Sequence, residues 1–189
     1  MKKVLSALLF SALLSPMAQA ADYKIDVKGT HAFINFKISH LGYSWLTGRF
    51  NEFDGSFSFD EKNPNAAQIS LDINPSSVDT NHSERDKHIR SKDFLHVNKF
   101  PDAGFESTRI THEGDNKYKV IGDLTMHGVT KQVIIDAYKV GEGKDPWGGY
   151  RAGFSGTTKI KMEDFGIKNV LGPASAEIEF QLHIEGIRQ

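Results

Sequence analysis

The sequence predicts an all-β antiparallel domain, either a sandwich or a closed barrel. Three observations carry that expectation. Apolar residues recur at every second position through most of the chain, which places them on one side of a pleated strand. Clusters of Gly, Asn, Asp and Pro separate these runs at short intervals, as turns between strands require. Only one stretch, residues 81–95, departs from the pattern.

The chain opens on a targeting segment. Lys2 and Lys3 are basic, residues 4–14 are mostly apolar, and Ala18-Gln19-Ala20 forms a small-x-small cleavage site. The apolar run is too short to span a bilayer, so residues 1–20 are expected to be a cleaved signal peptide. The mature domain then occupies 21–189, starting at Ala21 or Asp22, with no helical membrane anchor. That length supports one domain with a substantial core. Without the two lysines, 21 basic side chains face 24 acidic ones. No basic stripe appears, which argues against nucleic-acid binding. The absence of cysteine excludes disulfides, thiol catalysis and thiolate metal sites.

The alternating sets follow in order. Ala32, Ile34, Phe36 and Ile38 share a face, with His40 in phase at the end. Phe53, Gly55, Phe57 and Phe59 form the next set, then Ile69, Leu71 and Ile73. Tyr118, Val120, Gly122, Leu124 and Met126 precede a turn at His127-Gly128, and Val133, Ile135 and Ala137 follow it. Ala152, Phe154, Gly156, Thr158, Ile160 and Met162 come next. Ala176, Ile178, Phe180, Leu182 and Ile184 close the series. Further turn signals stand at 63–65, 114–116, 145–149 and 171–173. Within 81–95, Asn81 with Glu84 three residues on suggests a helix start, and Phe94-Leu95 would dock a short surface helix or ordered loop.

Small residues alternate with large ones on the apolar face. They fit a solid interdigitated core and equally an unfilled lumen, for which eight strands is about the smallest barrel. An outer-membrane barrel also alternates, but its aromatics gather at strand ends. Here Phe36, Phe57, Phe154 and Phe180 lie within strands, and the charged stretch 81–95 is long for an inner turn.

Several blocks resemble the YceI-like family of bacterial periplasmic proteins: HAFINFKISHLGYSWLTGRF at 31–50, SVDTNHSERDKHIRSKDFL at 77–95, FPDAGFESTRI at 100–110, GDLTMHGVTKQV at 122–133 and DPWGGYRAGFSGTTKIKMEDFG at 145–166. The resemblance runs from Tyr23 to the last strand. It implies an extended lipocalin-like antiparallel β-barrel with an apolar tunnel. It also implies binding of a polyisoprenoid or similar long-chain amphiphile, without an established catalytic activity.

A hydrocarbon chain demands apolar area and few polar groups. By phase within their strands, the expected lumen residues are Ile34, Phe36, Ile38, Phe57, Leu71, Leu124, Phe154, Ile160, Phe180 and Leu182. Trp45 and Phe50, near the turn after the first long strand, are expected to gate the mouth. His40, Arg85 and Arg90 are candidates for a headgroup. At ~0.3 kcal/mol per heavy atom, a chain of about forty carbons would gain roughly 12 kcal/mol, so tight binding requires no catalytic group.

His82, Glu84, Asp86 and His88 would form one row on a strand, but on a helix they split into two pairs four apart. Neither pair completes a tetrahedral set, so no metal is expected. The chain lacks a Gly-x-Ser-x-Gly elbow, a phosphate loop and a dinucleotide fingerprint, and no cofactor is expected. An enzyme acting on an isoprenoid lipid through polar residues at the mouth, and a ligand-free structural barrel, remain the alternatives. A paired edge strand would make a homodimer, and no residue decides it.

Overall fold

A computed structural model describes residues 20–168 and 171–189; the predicted signal segment, apart from Ala20, lies outside the described residues. The chain forms β1 (Ala21–Ile25), β2 (Phe33–His40), β3 (Ser44–Phe50), β4 (Phe53–Phe59), β5 (Gln68–Ile73), β6 (Val78–Asp79), α1 (Ser83–Arg90), β7 (Ala103–Gly114), β8 (Lys117–Met126), β9 (Val129–Lys144), β10 (Tyr150–Lys161) and β11 (Glu177–Arg188).

These strands make a closed eight-stranded antiparallel barrel. Three staves are long segments interrupted once each: β1 with β2, β3 with β4, and β5 with β6. Sequence neighbours pair in an up-and-down order, β1 with β4 and β2 with β3, then β4–β5 and onward to β10–β11. The last strand closes the ring by pairing with both parts of the first stave: Ile25 lies opposite Gly186, and Ile38 opposite Ile178. Closure leaves the ring itself without exposed edges. The membrane-barrel alternative fails on orientation, because Ile34, Phe36, Phe57, Phe105, Ile135 and Phe180 are buried inside.

The alternation sets the inward face as predicted for β2, β4, β5, β8, β9, β10 and β11. Four further strands, β1, β3, β6 and β7, were not among the predicted sets. Residues 44–50, just after the turn that ends β2, are a strand paired residue for residue with β2. In β3 the alternation buries Phe50 and tucks Leu46 inward, while Trp45 faces outward at 64% exposure. The expectation that Trp45 gates the lumen is therefore corrected: it is one residue out of phase with Leu46 and Phe50.

The turn between β2 and β3 places Leu41 (φ 55°) and Gly42 (φ 82°) in the left-handed region, with Tyr43 N–H donating to His40 O at 3.0 Å. Two positive φ values suit the type I′ turn that matches strand twist, although leucine is a costly occupant. His127 (φ 53°) and Gly128 (φ 74°) do the same between β8 and β9.

The barrel has two distinct ends. The insertion 80–102, the 41–43 and 127–128 turns and the segments 162–168 and 171–176 gather at one, the mouth. The turns at 60–67, 115–116 and 145–149 lie at the other with the C-terminus. At eight residues α1 is too short to persist on propensity alone. Its cap is His82, whose Nδ1 accepts from Arg85 N–H at 3.2 Å; Asn81, the predicted cap, instead adopts φ 62° just before it. The buried Asp86 carboxylate accepts from Thr80 N–H at 2.9 Å and Thr80 Oγ1 at 2.5 Å. That pair ties the helix to the end of β6, and Leu95 anchors the following turn in the core. Among the described residues no helix is long and apolar enough to cross a membrane.

Candidate functional site

Three apolar cavities follow one another along the barrel axis. The mouth chamber measures about 310 Å³ and lies beneath α1. Its walls include Phe36, Ile38, Leu46, Phe50, Ile89, Phe94, Leu95, Met126, Met162, Ile167, Leu171, Ile178 and Phe180. A middle cavity of about 60 Å³ shares Phe50, Leu95, Met126 and Phe180 with it. An inner cavity of about 90 Å³ shares Leu71, Phe105, Ile135 and Leu182 with the middle one. The shared side chains form the walls between neighbouring cavities.

Small residues make this space. Gly156 lies opposite Ala137 across β9 and β10, and both line the inner cavity. Gly48 accommodates the Phe36 ring: a Cβ there would meet Phe36 Cζ at 2.4 Å. Gly122 does the same for Phe105, at 2.3 Å. Glycine thus lets large rings lie flat against the wall instead of filling the axis.

Scale is informative. An engineered apolar cavity of about 150 Å³ holds one benzene. The mouth chamber therefore has room for roughly a dozen carbons, about two isoprene units. A longer chain would have to displace the side chains that wall the chamber off from the middle cavity, Phe50, Leu95, Met126 and Phe180.

The inner end is plugged. Phe59 and Phe154 meet edge-on at 5.1 Å, and Tyr118 lies 6.1 Å from Phe59 and 6.0 Å from Phe154. Above them Lys139 Nζ sits 5.4 Å from the Phe59 ring centre and bonds Glu61 Oε1 at 2.6 Å. Burial opposes the charge on Lys139, yet the Glu61 bond and the nearby carboxylates outweigh it and raise its pKa. Burial raises the Tyr118 phenol. Lys139 follows Ala137 in phase on β9, so its inward position was readable by extending that alternation two residues.

The mouth chamber's lining contains His40, Arg85 and His88 as its polar side chains. His40 holds its predicted place, in phase with Phe36 and Ile38. Arg85 borders the chamber but is engaged: Nε and Nη2 each donate to Thr80, to Oγ1 and O, at 2.7 Å. Arg90 is a correction. Its Nη1 donates to Val78 O at 3.2 Å, and it does not line the chamber, because α1 turns it toward the β6 backbone. His88, not among the headgroup candidates, meets the chamber-lining Phe94 ring edge-on, with ring centres 5.0 Å apart.

Of the predicted lumen residues, Ile34, Phe36, Ile38, Phe50, Phe57, Leu71, Leu124, Phe154, Phe180 and Leu182 line one or more cavities. Ile160 is buried but lines none of these three. Ile89, Ile167 and Leu171 lie outside strands, where alternation gives no signal; Met162, the last residue of the 152–162 alternating set, lines the chamber from the short 3-10 turn that follows β10.

The His82–His88 row does not converge. His82 caps the helix and Asp86 is committed to Thr80. Among the described residues, the acids and histidine that do converge are Asp26, His31 and Glu185 on the barrel wall. A guanidinium already sits between them: Arg151 Nη1 donates to Asp26 at 2.7 Å and Glu185 at 2.6 Å, while Nε donates to Asp145 at 2.8 Å. Hydrogen bonds from His31 and then Arg151 hold the Asp26 carboxyl down at about 2. This network is an ion-pair clasp between the first and last staves and β10.

Comparison with known proteins places this architecture. A UPF0312 protein of Pseudomonas aeruginosa (strain LESB58) is 61% identical over 191 residues, covering 100% of both chains. BcnA of Burkholderia cenocepacia shares the fold with a TM-score of 0.76 at 22% identity, covering 85% of this chain and 98% of that one. A polyisoprenoid binding domain from Saccharophagus degradans, implicated in plant cell wall breakdown, superposes with a TM-score of 0.66 at 16% identity, covering 90% of this chain and 99% of that one. The sequence model of the YceI-like domain matches residues 23–186. With a closed antiparallel barrel, an apolar axis and that match across nearly all its described length, the chain belongs to the YceI-like family.

Proposed function

We propose that this protein is a periplasmic carrier of a long-chain apolar lipid, a polyisoprenoid or an isoprenoid quinone, held in the barrel lumen. The observation that carries the proposal is the run of apolar cavities leading inward from a chamber rimmed by His40, Arg85 and His88. The Saccharophagus degradans domain, named for polyisoprenoid binding, supports it by sharing the fold.

The chemistry of the walls favours binding over catalysis. They offer area and almost no directional groups, which suits a hydrocarbon whose transfer from water is worth ~0.8 kcal/mol per methylene. At the mouth, a few donors can orient a headgroup without a nucleophile beside them. The N-terminal segment supports export, with cleavage after Ala20.

Native mass spectrometry of protein purified from its own periplasmic fraction tests the proposal. A stoichiometric apolar adduct and an N-terminus at Ala21 or Asp22 are expected. A protein that is empty when drawn from lipid-producing cells, and that takes up no prenyl lipid added in detergent, would refute it.

A further inference from the structure

We infer that the lipid passes between the middle cavity and the outside through the side of the barrel, at a seam where β9 and β10 part. The inference rests on the carrier reading for its occupant and adds a path that avoids the mouth.

The two strands pair from Lys144 opposite Tyr150 to Asp136 opposite Thr157, and there the pairing ends. Both strands run on, β9 from Val129 and β10 to Lys161. Each keeps its other neighbour: Val129 lies opposite Met126 on β8, and Lys161 opposite Glu177 on β11. Residues 129–135 and 158–161 therefore flank a stretch of wall without the regular backbone ladder that joins antiparallel strands. A side chain bridges it instead, with Thr158 Oγ1 donating to Ile134 O at 2.7 Å.

The residues of this gap border both sides of the wall. Val133 and Thr158 line the middle cavity. The same two line a groove on the outer face, together with Ile134, Ile160 and Phe165. This placement accounts for Ile160, which is buried and in phase with the lumen yet lines none of the axial cavities: it closes the seam. Phe165 closes it further from the short turn Met162–Phe165 that follows β10. Its ring is 1% exposed, and His127 Nδ1 donates to its carbonyl oxygen at 3.0 Å.

Two ways lead into the middle cavity. From the mouth chamber a chain must displace Phe50, Leu95, Met126 and Phe180, all large and buried. Through the seam it meets Thr158 and Val133, across a join held by a side-chain bond where a paired seam would hold a row of backbone bonds. Local opening favours places where few bonds must break. Val133, Ile134, Ile160 and Phe165 offer the passing hydrocarbon an apolar sill. The groove beyond carries both signs of charge, Lys131, Lys159 and Lys161 with Asp136, Asp164, Glu177 and Glu179. It therefore selects no charged partner, and the inference concerns the lipid's path alone.

The test follows uptake and release of radiolabelled geranylgeraniol, presented in detergent, by the full chain. The protein has no cysteine, so Gln132→Cys with Lys159→Cys, which line the groove from β9 and β10, can be joined by a bismaleimide after folding. The control is Asp123→Cys with Gln132→Cys, direct partners on β8 and β9 within an unbroken ladder, joined by the same reagent. Joining 132 to 159 is expected to slow uptake and release about tenfold or more, with final occupancy unchanged. Joining 123 to 132 is expected to leave both rates at the parental value. Thr158→Val, which removes the bridging hydroxyl and keeps the branched shape, is expected to speed both rates, and Thr158→Ser, which keeps the hydroxyl, to restore them. Parental rates in the protein linked from 132 to 159 would overturn the inference, and so would equal slowing by the two links. A parent that takes up no geranylgeraniol would instead sink the carrier reading, and the seam's role with it.

Discussion

Filling the inner cavity separates chain-length recognition from ordinary core packing. Ala137 faces Gly156 across β9 and β10, and both border a void of about 90 Å³. Ala137→Leu adds three carbons into that void. An unfilled cavity costs about 24 cal/mol per Å³, so filling most of this one should stabilise the ligand-free protein by up to about 2 kcal/mol. The same three carbons displace the distal end of a bound chain. At ~0.8 kcal/mol per methylene, a lipid long enough to reach the inner cavity should bind about 2 kcal/mol more weakly, roughly a thirtyfold loss. A short prenyl alcohol that stops in the mouth chamber should bind as before. Denaturant unfolding of the delipidated protein supplies the first number, and titration with a ten-carbon and a forty-carbon prenyl alcohol supplies the second. Equal losses for both lipids, or no loss for the long one, would refute the view that the three cavities form one path.

Other consequences are open to measurement. Asp26 has a folded pKa of about 2 against an ordinary 3.8, set by His31 and then Arg151; a depressed acid contributes stability above its unfolded value and loses it as pH falls through the folded one. About 2 kcal/mol of unfolding free energy should therefore vanish between pH 4 and pH 2, and Asp26→Asn should flatten that part of the profile in acid denaturation. Ser175→Ala leaves Ser39 O and Leu41 N–H without their buried partner and should cost about 1–3 kcal/mol in urea unfolding. Leu41→Asn relieves the left-handed leucine and should raise stability by about 1 kcal/mol, read as a higher urea midpoint. Phe165→Ala, at 1% exposure beside the mouth, should cost about 3–5 kcal/mol by thermal unfolding.

The strand alternation was legible because a pleat has a period of two and one face must be buried. Together with aromatics lying within strands and not at their ends, it marked the inward faces of β2, β4, β5, β8, β9, β10 and β11, with Phe36, Phe57, Phe154 and Phe180 on the lumen side. His40 followed from the same phase. Trp45 did not, because residues 44–50 show no alternating apolar set of their own, and without a recognised strand there is no parity to send Trp45 outward and Phe50 in. The acidic and basic pairs along α1 were visible, but not that Asp86 would turn inward to Thr80 and Arg90 toward Val78, since an eight-residue helix is oriented by what it docks on.

Periodicity names a face; it does not say whether facing side chains meet. That question belonged to the barrel's curvature and to the glycines at 48, 122 and 156, whose missing Cβ atoms let neighbouring side chains lie against the wall. Closure itself came from β11 pairing with β1 and β2, across more than a hundred residues of chain. Such long-range pairings leave no local trace in composition, because the free energy that fixes them is shared among all the staves they bring together.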